Sequence, residues 1–172
     1  MRILLTEQQI QEGVHRLAEK VNDAYHDRPV TVLAVLTGSI VLLADLIRRL
    51  TMPLRVGVVQ ASSYRGKVTT PGPLTINPEL MPDIRDRSVL LVDDIFDTGR
   101  TLAALAERLR QWEPTSLQSA VLLRKQGRQE VEYQPDFCAF TIPNVFVVGY
   151  GLDYDDQYRN LPYLAAVEES DL

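Results

Sequence analysis

The sequence predicts an α/β protein with a mainly parallel sheet flanked by helices. Along the 172 residues, apolar β-branched runs alternate with segments that carry apolar residues at helical spacing. The runs "VTVLAVL" and "SVLLV" are too continuously apolar for a sheet that faces water on one side, so helices are expected on both faces. No internal repeat or low-complexity tract interrupts this pattern, and residues 1–172 are expected to form a single domain.

The first half of the chain contains two predicted helices and two predicted strands. Thr6 and Gln9 form a capping-box pattern, and apolar residues continue at helical spacing as far as Tyr25. The run "PVTVLAVLTG" predicts a buried strand that ends at Gly38. Ser39 is expected to cap a second helix, "IVLLADLIRRL", which stops before a proline. A second strand is predicted in "LRVGVVQASSY".

The second half begins with a segment that has no regular periodicity. Residues 65–83 are rich in glycine and proline, which predicts a long loop or a loosely formed hairpin. A loop of that length in a compact domain is usually functional. Residues 88–92 are then expected to form a strand and residues 98–112 a helix. The strand "SLQSAVLLR" and a last strand "VFVVGYGLD" complete the pattern.

Three carboxylates and a candidate anion site occur together in "VLLVDDIFDTGRTL". Asp93 and Asp94 follow a predicted strand, where the ligand sites of open α/β sheets lie. Asp97 precedes the turn "TGRT" into the next helix, whose N–H groups and dipole favour a phosphate. Carboxylates beside an anion site suit ligand hydroxyls or a hydrated Mg²⁺ ion that bridges to the ligand. The simpler interpretation is that Asp97 or Thr98 caps the helix and that the acidic pair is a solvated turn.

The same stretch resembles the 5-phosphoribosyl 1-diphosphate (PRPP) signature of the type I phosphoribosyltransferases. The acid before Thr-Gly, the segment "FVVGYGLDYDDQYRNLPYLA" and the shorter runs "LLRK", "LTGS" and "SSY" are similar to the hypoxanthine-guanine (6-oxopurine) members of that family. The match runs over residues 32–165. It implies the type I phosphoribosyltransferase fold, with a small hood built from the termini. It also implies a purine-salvage enzyme, which transfers the phosphoribosyl group of PRPP to N9 of hypoxanthine or guanine and releases pyrophosphate.

The resemblance implies a set of PRPP-binding residues. A short pyrophosphate loop, expected to contain a cis peptide bond between Leu36 and Thr37, would act together with the start of a mobile loop. The acidic pair would hold the ribose hydroxyls, and the turn would hold the 5′-phosphate. The full expected set is Leu36, Thr37, Gly38, Ser63, Tyr64, Asp93, Asp94, Asp97, Thr98, Gly99, Arg100, Thr101 and Arg159.

The resemblance also implies a base site, a catalytic group and a metal. Lys125 would donate to O6 of the purine, which distinguishes a 6-oxo base from adenine. Asp97 would lie near N7 and act in proton transfer as N9 attacks. The expected purine-binding residues are Lys125, Phe146, Val147 and Asp153, and the expected Mg²⁺ ligands are Asp93, Asp94 and Asp153.

Composition limits the partners and the location. A net charge of −5 with interspersed signs gives no global basic field, so nucleic acid is not an expected partner. The longest apolar runs are too short to span a membrane, and the N-terminus does not resemble a signal peptide, so a cytoplasmic protein is expected. The resemblance implies that PRPP, a 6-oxopurine base and pyrophosphate are the ligands, and that the protein is a homodimer or a homotetramer.

Three alternatives belong to other classes. A receiver-type signalling domain also carries acids after a strand, but its acidic pocket begins the fold, whereas Asp93 lies beyond the middle of this chain. An RNA-binding attenuation protein of the pyrimidine-operon type also carries Thr-Gly-Arg-Thr, but Asp97 and the "YGLDYDDQYR" segment argue against it. A phosphoribosyltransferase that prefers xanthine remains open, because backbone atoms read the exocyclic edge of the base.

Overall fold

The computed structural model of the chain describes residues 1–63 and 74–167. Helices and strands alternate through most of the described chain, and a single 3₁₀ turn occupies Pro78–Leu80. In chain order the elements are β1 (Arg2–Leu5), α1 (Glu7–Tyr25), β2 (Val30–Leu36), α2 (Ile40–Ile47), β3 (Leu54–Ser63), β4 (Leu74–Asn77), β5 (Ser88–Phe96), α3 (Arg100–Arg110), β6 (Ser116–Lys125), β7 (Phe137–Ile142), β8 (Phe146–Val148) and β9 (Leu164–Val167).

Six strands form the main sheet, in the order β4-β3-β2-β5-β6-β7. Five of them run parallel, and β4 alone in this sheet is antiparallel, against β3. This confirms the predicted mainly parallel sheet. The β3–β4 pairing agrees with the loosely formed hairpin expected at 65–83, although residues 64–73 lie outside the described ranges.

The two faces of the main sheet are covered by different helices. On one face α1 and α2 bury side chains against alternate residues of the central strands, such as Leu90 and Val92 of β5. On the other face α3 packs against the intervening residues, such as Val89 and Leu91. Successive strand residues point to opposite faces, so a strand covered on both sides is apolar at every position. None of the helices in the described ranges combines the length and apolar character needed to cross a membrane.

The helix starts confirm one predicted cap and correct another. Thr6 and Gln9 make both hydrogen bonds of a capping box at the start of α1. Ser39 occupies the N-cap position of α2, but its hydroxyl donates to the carbonyl of Val35 at 2.5 Å and does not cap the helix. The prediction of a capping side chain was therefore wrong, because Ser39 has a helical backbone conformation (φ −79°, ψ −2°) and not the extended one that lets an N-cap oxygen accept a helix N–H.

A second, smaller sheet joins the two ends of the described chain. Its order is β1-β9-β8, and β1 pairs antiparallel with β9, so that Ile3 lies opposite Ala165. This sheet is the hood expected from the termini. Only its β8 strand was predicted, as part of a longer strand "VFVVGYGLD" that in fact ends at Val148. Glycines at 149 and 151 follow with positive φ, and the chain turns there instead of extending.

Candidate functional site

Two adjoining pockets lie at the carboxyl ends of β2, β5 and β6. The turn pocket, of about 300 Å³, is lined by the acidic pair, by Leu36 and Gly38, and by most of the 97–101 turn. The Phe146 pocket, of about 220 Å³, is lined by all four residues predicted to contact a purine, Lys125, Phe146, Val147 and Asp153. Asp94 and Asp97 line both pockets. Most of the predicted PRPP residues and all of the predicted purine residues thus line two neighbouring pockets that share two carboxylates, whereas Thr37, Arg100 and Arg159 line neither.

The turn pocket faces the start of α3. Gly99 has φ of +83° and occupies the N-cap position, so α3 begins at Arg100 and not at Thr98 as predicted. A β-carbon at Gly99 would meet the Phe96 ring and the Val131 side chain, so glycine is required here for space as well as for φ. The Arg100 N–H donates to the Thr98 hydroxyl at 3.4 Å, and the next N–H groups of the first helical turn have no partner within the helix, so they would suit the predicted anion. The Arg100 side chain is directed elsewhere, because it pairs with Glu130.

Asp93 and Asp94 form an acidic pair in which Asp93 is buried and Asp94 is half-buried. They lie within β5, which continues to Phe96, and not after its end as predicted. Burial raises the pKa of both carboxyl groups, and the neighbouring charge of Asp94 raises that of Asp93 further. Oδ1 of Asp93 accepts the Asp94 backbone N–H at 2.9 Å. Two carboxylates with raised pKa values fit a bound cation. A positive charge would offset the cost of removing them from water and would reduce their mutual repulsion.

The donor set suits Mg²⁺ better than a metal that needs a complete protein cage. Within residues 1–63 and 74–167, no group of three or more His, Cys, Asp and Glu side chains is arranged to hold a metal ion. Mg²⁺ usually takes one or two carboxylates and completes its shell with water and phosphate oxygens. Asp93 and Asp94 meet that requirement. The third predicted ligand, Asp153, lines the same pocket as Asp94.

The predicted pyrophosphate loop is packed between the acidic pair and the segment after β8. The Leu36–Thr37 peptide bond is cis, as expected. A β-carbon at Gly38 would overlap Oδ2 of Asp94, and a β-carbon at Gly151 would overlap the Gly38 carbonyl oxygen. At Gly151 the obstructing atom belongs to the backbone, so only glycine permits that approach, whereas a β-carbon at Gly38 would displace the Asp94 carboxylate. The loop is thereby held against the turn pocket, which Leu36 and Gly38 line.

Asp97 is an ion-paired residue and not a helix cap. Its Oδ2 accepts from Lys125 Nζ at 3.0 Å, and its Oδ1 accepts from Arg128 Nε at 2.9 Å. Burial alone would raise the pKa of Asp97, but the hydrogen bonds from Arg128 and Lys125 outweigh it and lower the pKa. Gly99 occupies the N-cap position, so Asp97 does not cap α3, and Thr98 contributes only a long hydrogen bond of 3.4 Å, in which its hydroxyl oxygen accepts the Arg100 N–H.

The Phe146 pocket combines an aromatic face with a buried amine. Phe146 is 46% exposed and meets Tyr154 edge to face, with 5.6 Å between the ring centroids. Val147 is buried, and the Lys125 side chain is only 10% exposed. An exposed ring beside a buried donor suits a flat heterocycle that stacks and accepts a hydrogen bond.

Asp153 and Arg159, predicted to bind metal and pyrophosphate, bind each other in this structure. The guanidinium of Arg159 lies 2.8 Å from Oδ1 of Asp153 and donates to the Gly151 carbonyl oxygen at 2.8 Å. Arg159 lines neither pocket, but its charge partly offsets the rise in the pKa of Asp94 that burial causes. Both predicted roles therefore require this ion pair to open.

The remaining predicted residues are less informative. Ser63 is the last residue of β3, and Tyr64 lies outside the described residues. Arg128, which was not among the predicted site residues, contacts Asp97 from the loop between β6 and β7. No pattern in "KQGRQEVEY" singles out that arginine, because its partner lies 31 residues earlier in the chain.

Comparisons with known proteins agree on one family. A family model described as the phosphoribosyl transferase domain matches residues 2–155. The hypoxanthine-guanine phosphoribosyltransferase of Streptococcus pneumoniae is 36% identical over 98% of this chain and 93% of its own length. The hypoxanthine phosphoribosyltransferase of Salmonella typhimurium is 37% identical over 97% of this chain and 95% of its own length.

Solved structures give the same result. A hypoxanthine-guanine phosphoribosyltransferase of Bacillus anthracis superposes with a TM-score of 0.91 at 35% identity, covering 98% of this chain and 99% of the other. The hypoxanthine phosphoribosyltransferase of Trypanosoma cruzi, in a ternary substrates complex, gives a TM-score of 0.92 at 34% identity, with coverage of 99% and 97%. The similarity extends over nearly the whole of each chain.

Proposed function

This chain belongs to the phosphoribosyl transferase family, and on that premise we propose that it is a purine-salvage enzyme that transfers the phosphoribosyl group of PRPP to N9 of hypoxanthine or guanine. The products are the corresponding nucleotide and pyrophosphate. The observation that carries the proposal is the position of Asp97. It lines both the pocket with the phosphate-binding turn and the pocket with the exposed aromatic ring.

The turn pocket is proposed to bind the PRPP half of the reactants. The start of α3 would hold the 5′-phosphate through backbone N–H groups, with the Thr98 and Thr101 hydroxyls as further donors. Asp93 and Asp94 would hold the ribose hydroxyls. Positive charge develops on the ribose as pyrophosphate leaves, and the carboxylates at this end of β5 would stabilise it.

The Phe146 pocket is proposed to bind the base. Phe146 would stack on the ring, and the backbone of Val147 would contact its Watson–Crick edge. Lys125 would donate to O6, whereas the amino group of adenine would face it as a second donor. The lowered pKa keeps Asp97 as a carboxylate, which would accept a proton from the base at N7 as N9 attacks.

Mg²⁺ is the proposed cofactor, held by Asp93, Asp94 and Asp153. When bound, it would neutralise the charge of the departing pyrophosphate. Asp153 and Arg159 neutralise each other in the free protein and would separate to contact the metal and the pyrophosphate. Measuring the unfolding temperature with PRPP, with and without Mg²⁺, tests this. A shift that requires both ligands supports the proposal, and a shift that is independent of Mg²⁺ contradicts it.

A cytoplasmic homodimer or homotetramer is proposed for the assembly. Apolar side chains that are exposed on the single chain, including Ile3, Ile40 and Leu80, supply surface that a second copy would cover. Light scattering after size exclusion measures the mass directly. A particle of 19.4 kDa, the mass of one chain, would contradict this proposal.

The function is tested by nucleotide formation. The protein is incubated with PRPP, Mg²⁺ and, in turn, hypoxanthine, guanine, xanthine, adenine and uracil, and the nucleotide product is measured. Turnover of hypoxanthine or guanine, with adenine and uracil inactive, is the expected result. Turnover of xanthine alone would reassign the base. If no base is turned over and the protein retains RNA on a filter, the RNA-binding attenuation protein becomes the favoured alternative.

A further inference from the structure

The loop between β6 and β7 is fastened to the phosphate-binding turn at several points. The Glu130 N–H donates to the Thr98 carbonyl at 2.9 Å, and the Glu130 carboxylate pairs with Arg100. The Val131 side chain lies beside the Cα of Gly99. Arg128 adds the ion pair to Asp97. The loop is therefore anchored to the turn independently of Arg128.

Arg128 and Lys125 both bind the Asp97 carboxylate. Each holds a different oxygen, Lys125 at 3.0 Å from Oδ2 and Arg128 at 2.9 Å from Oδ1. The two cations have different surroundings. The Lys125 side chain is 10% exposed and lines the Phe146 pocket, whereas that of Arg128 is 41% exposed and lines neither pocket. Arg128 thus reaches Asp97 from outside, where a bound base would not displace it.

Donation by Lys125 to a bound base changes this arrangement. If its ammonium turns towards O6, it moves away from its present position at Oδ2 of Asp97. The carboxylate would then be held on one side only, by Arg128. A carboxylate that has lost both partners would be free to rotate, and its alignment with the base would be lost.

We propose that Arg128 is a positioning residue that holds the Asp97 carboxylate in place while Lys125 turns from Asp97 to the O6 atom of the base. This inference rests on the proposed function. Arg128 acts through Asp97 and does not itself touch the base. Its contribution is therefore expected in turnover and not in PRPP binding.

Steady-state kinetics with PRPP and hypoxanthine test the proposal. We expect Arg128→Ala to lower kcat roughly 10-fold with the KM for PRPP changed less than about twofold. Arg128→Lys, which retains a cationic donor, should recover most of the loss. In an Asp97→Asn background, Arg128→Ala should lower kcat no further than about twofold, because residues that act as a unit are not additive.

Arg85→Ala is the matched control. Arg85 also pairs with a carboxylate, that of Glu113, but it lies at the other end of β5 and lines neither pocket. The Arg85→Ala variant should therefore retain wild-type kcat. Arg128→Gln replaces the alanine variant if thermal unfolding shows that the latter does not fold.

The outcomes separate the two proposals. Wild-type kcat in Arg128→Ala would overturn the positioning role. An equal fold-loss of kcat on Arg128→Ala in the wild-type and the Asp97→Asn backgrounds would also overturn it. A wild-type protein that forms no nucleotide from any 6-oxopurine would overturn the proposed function itself.

Discussion

Lys125 Nζ lies 3.0 Å from Oδ2 of Asp97, so the residue expected to recognise the base and the residue expected to move its proton are bound to each other in the free protein. The Lys125 side chain is almost fully buried, and a buried amine without an anionic partner is unfavourable. Under the proposed function, binding of a base would exchange one partner of Lys125 for another. This exchange would link base recognition to the state of the Asp97 carboxylate.

Asp97→Asn tests the catalytic assignment. Asparagine is isosteric but cannot take a proton, so kcat with hypoxanthine should fall by roughly 10²-fold or more, with little change in the KM for PRPP. Asp83→Asn is the control, because Asp83 also accepts a hydrogen bond, from the Arg85 N–H, on an exposed loop. Turnover within a few-fold of wild type in Asp97→Asn would leave Asp97 with a structural role only.

Lys125→Met tests base selection. Methionine keeps an apolar stem but removes the donor to O6, so hypoxanthine turnover should fall and discrimination against adenine should weaken. The ratio of kcat/KM for the two bases measures this. Lys20→Met, on the exposed face of α1, serves as the control. An unchanged ratio in Lys125→Met would assign Lys125 to the ion pair with Asp97 alone.

Gly99→Ala and Gly127→Ala separate backbone strain from crowding. Both glycines have positive φ, but a β-carbon at Gly127 meets nothing within 4 Å, whereas one at Gly99 meets Phe96 and Val131. Gly127→Ala should cost about 1 kcal/mol of the free energy of unfolding. Gly99→Ala should cost about 2 kcal/mol or more and should also raise the KM for PRPP. Equal losses in chemical denaturation, with unchanged PRPP saturation, would contradict the close packing of the turn.

Tyr25 is expected to make the fold sensitive to alkali. Burial, and to a smaller extent Asp136, raise the pKa of its phenol from 10.0 to about 12. The unfolded chain releases the Tyr25 proton near pH 10, whereas the folded protein keeps it up to about pH 12. The stabilising contribution of the protonated phenol is therefore complete below pH 10 and is lost as the pH rises towards 12. A shift of this size corresponds to at most about 3 kcal/mol.

The test compares the free energy of unfolding at pH 9 and pH 12 in wild type, Tyr25→Phe and Tyr154→Phe. Tyr25→Phe loses the hydrogen bond to the Val89 carbonyl and should be about 1 kcal/mol less stable at pH 9. Its decline towards pH 12 should be smaller than that of wild type. Tyr154 lies on the surface, so Tyr154→Phe should decline as wild type does. Parallel declines in all three proteins would contradict the assignment.

Most of the main sheet and its helices were predictable because their signals are local, although its edge strand β7 was not predicted. The capping box at Thr6, the helical spacing of α1 and the unbroken apolar runs of β2 and β5 each report burial within a few neighbouring residues. The strand–turn–helix pattern around Asp93 and Gly99 likewise predicts an anion site, since an N–H cluster at a helix start depends on local backbone geometry. The short hood strands β1 and β9 were missed, because each is stabilised by pairing with the other end of the described chain.

Contacts between distant segments account for the rest. Whether Asp97 faces a helix N–H or two cations depends on where Lys125 and Arg128 lie, 28 and 31 residues later. The closeness of Gly38 to Asp94 and to Gly151 depends in the same way on three separate segments meeting at one end of the sheet. Residue types and periodicity carry information about how a segment folds. The partners of a buried charge depend on packing between segments, which a single sequence does not display.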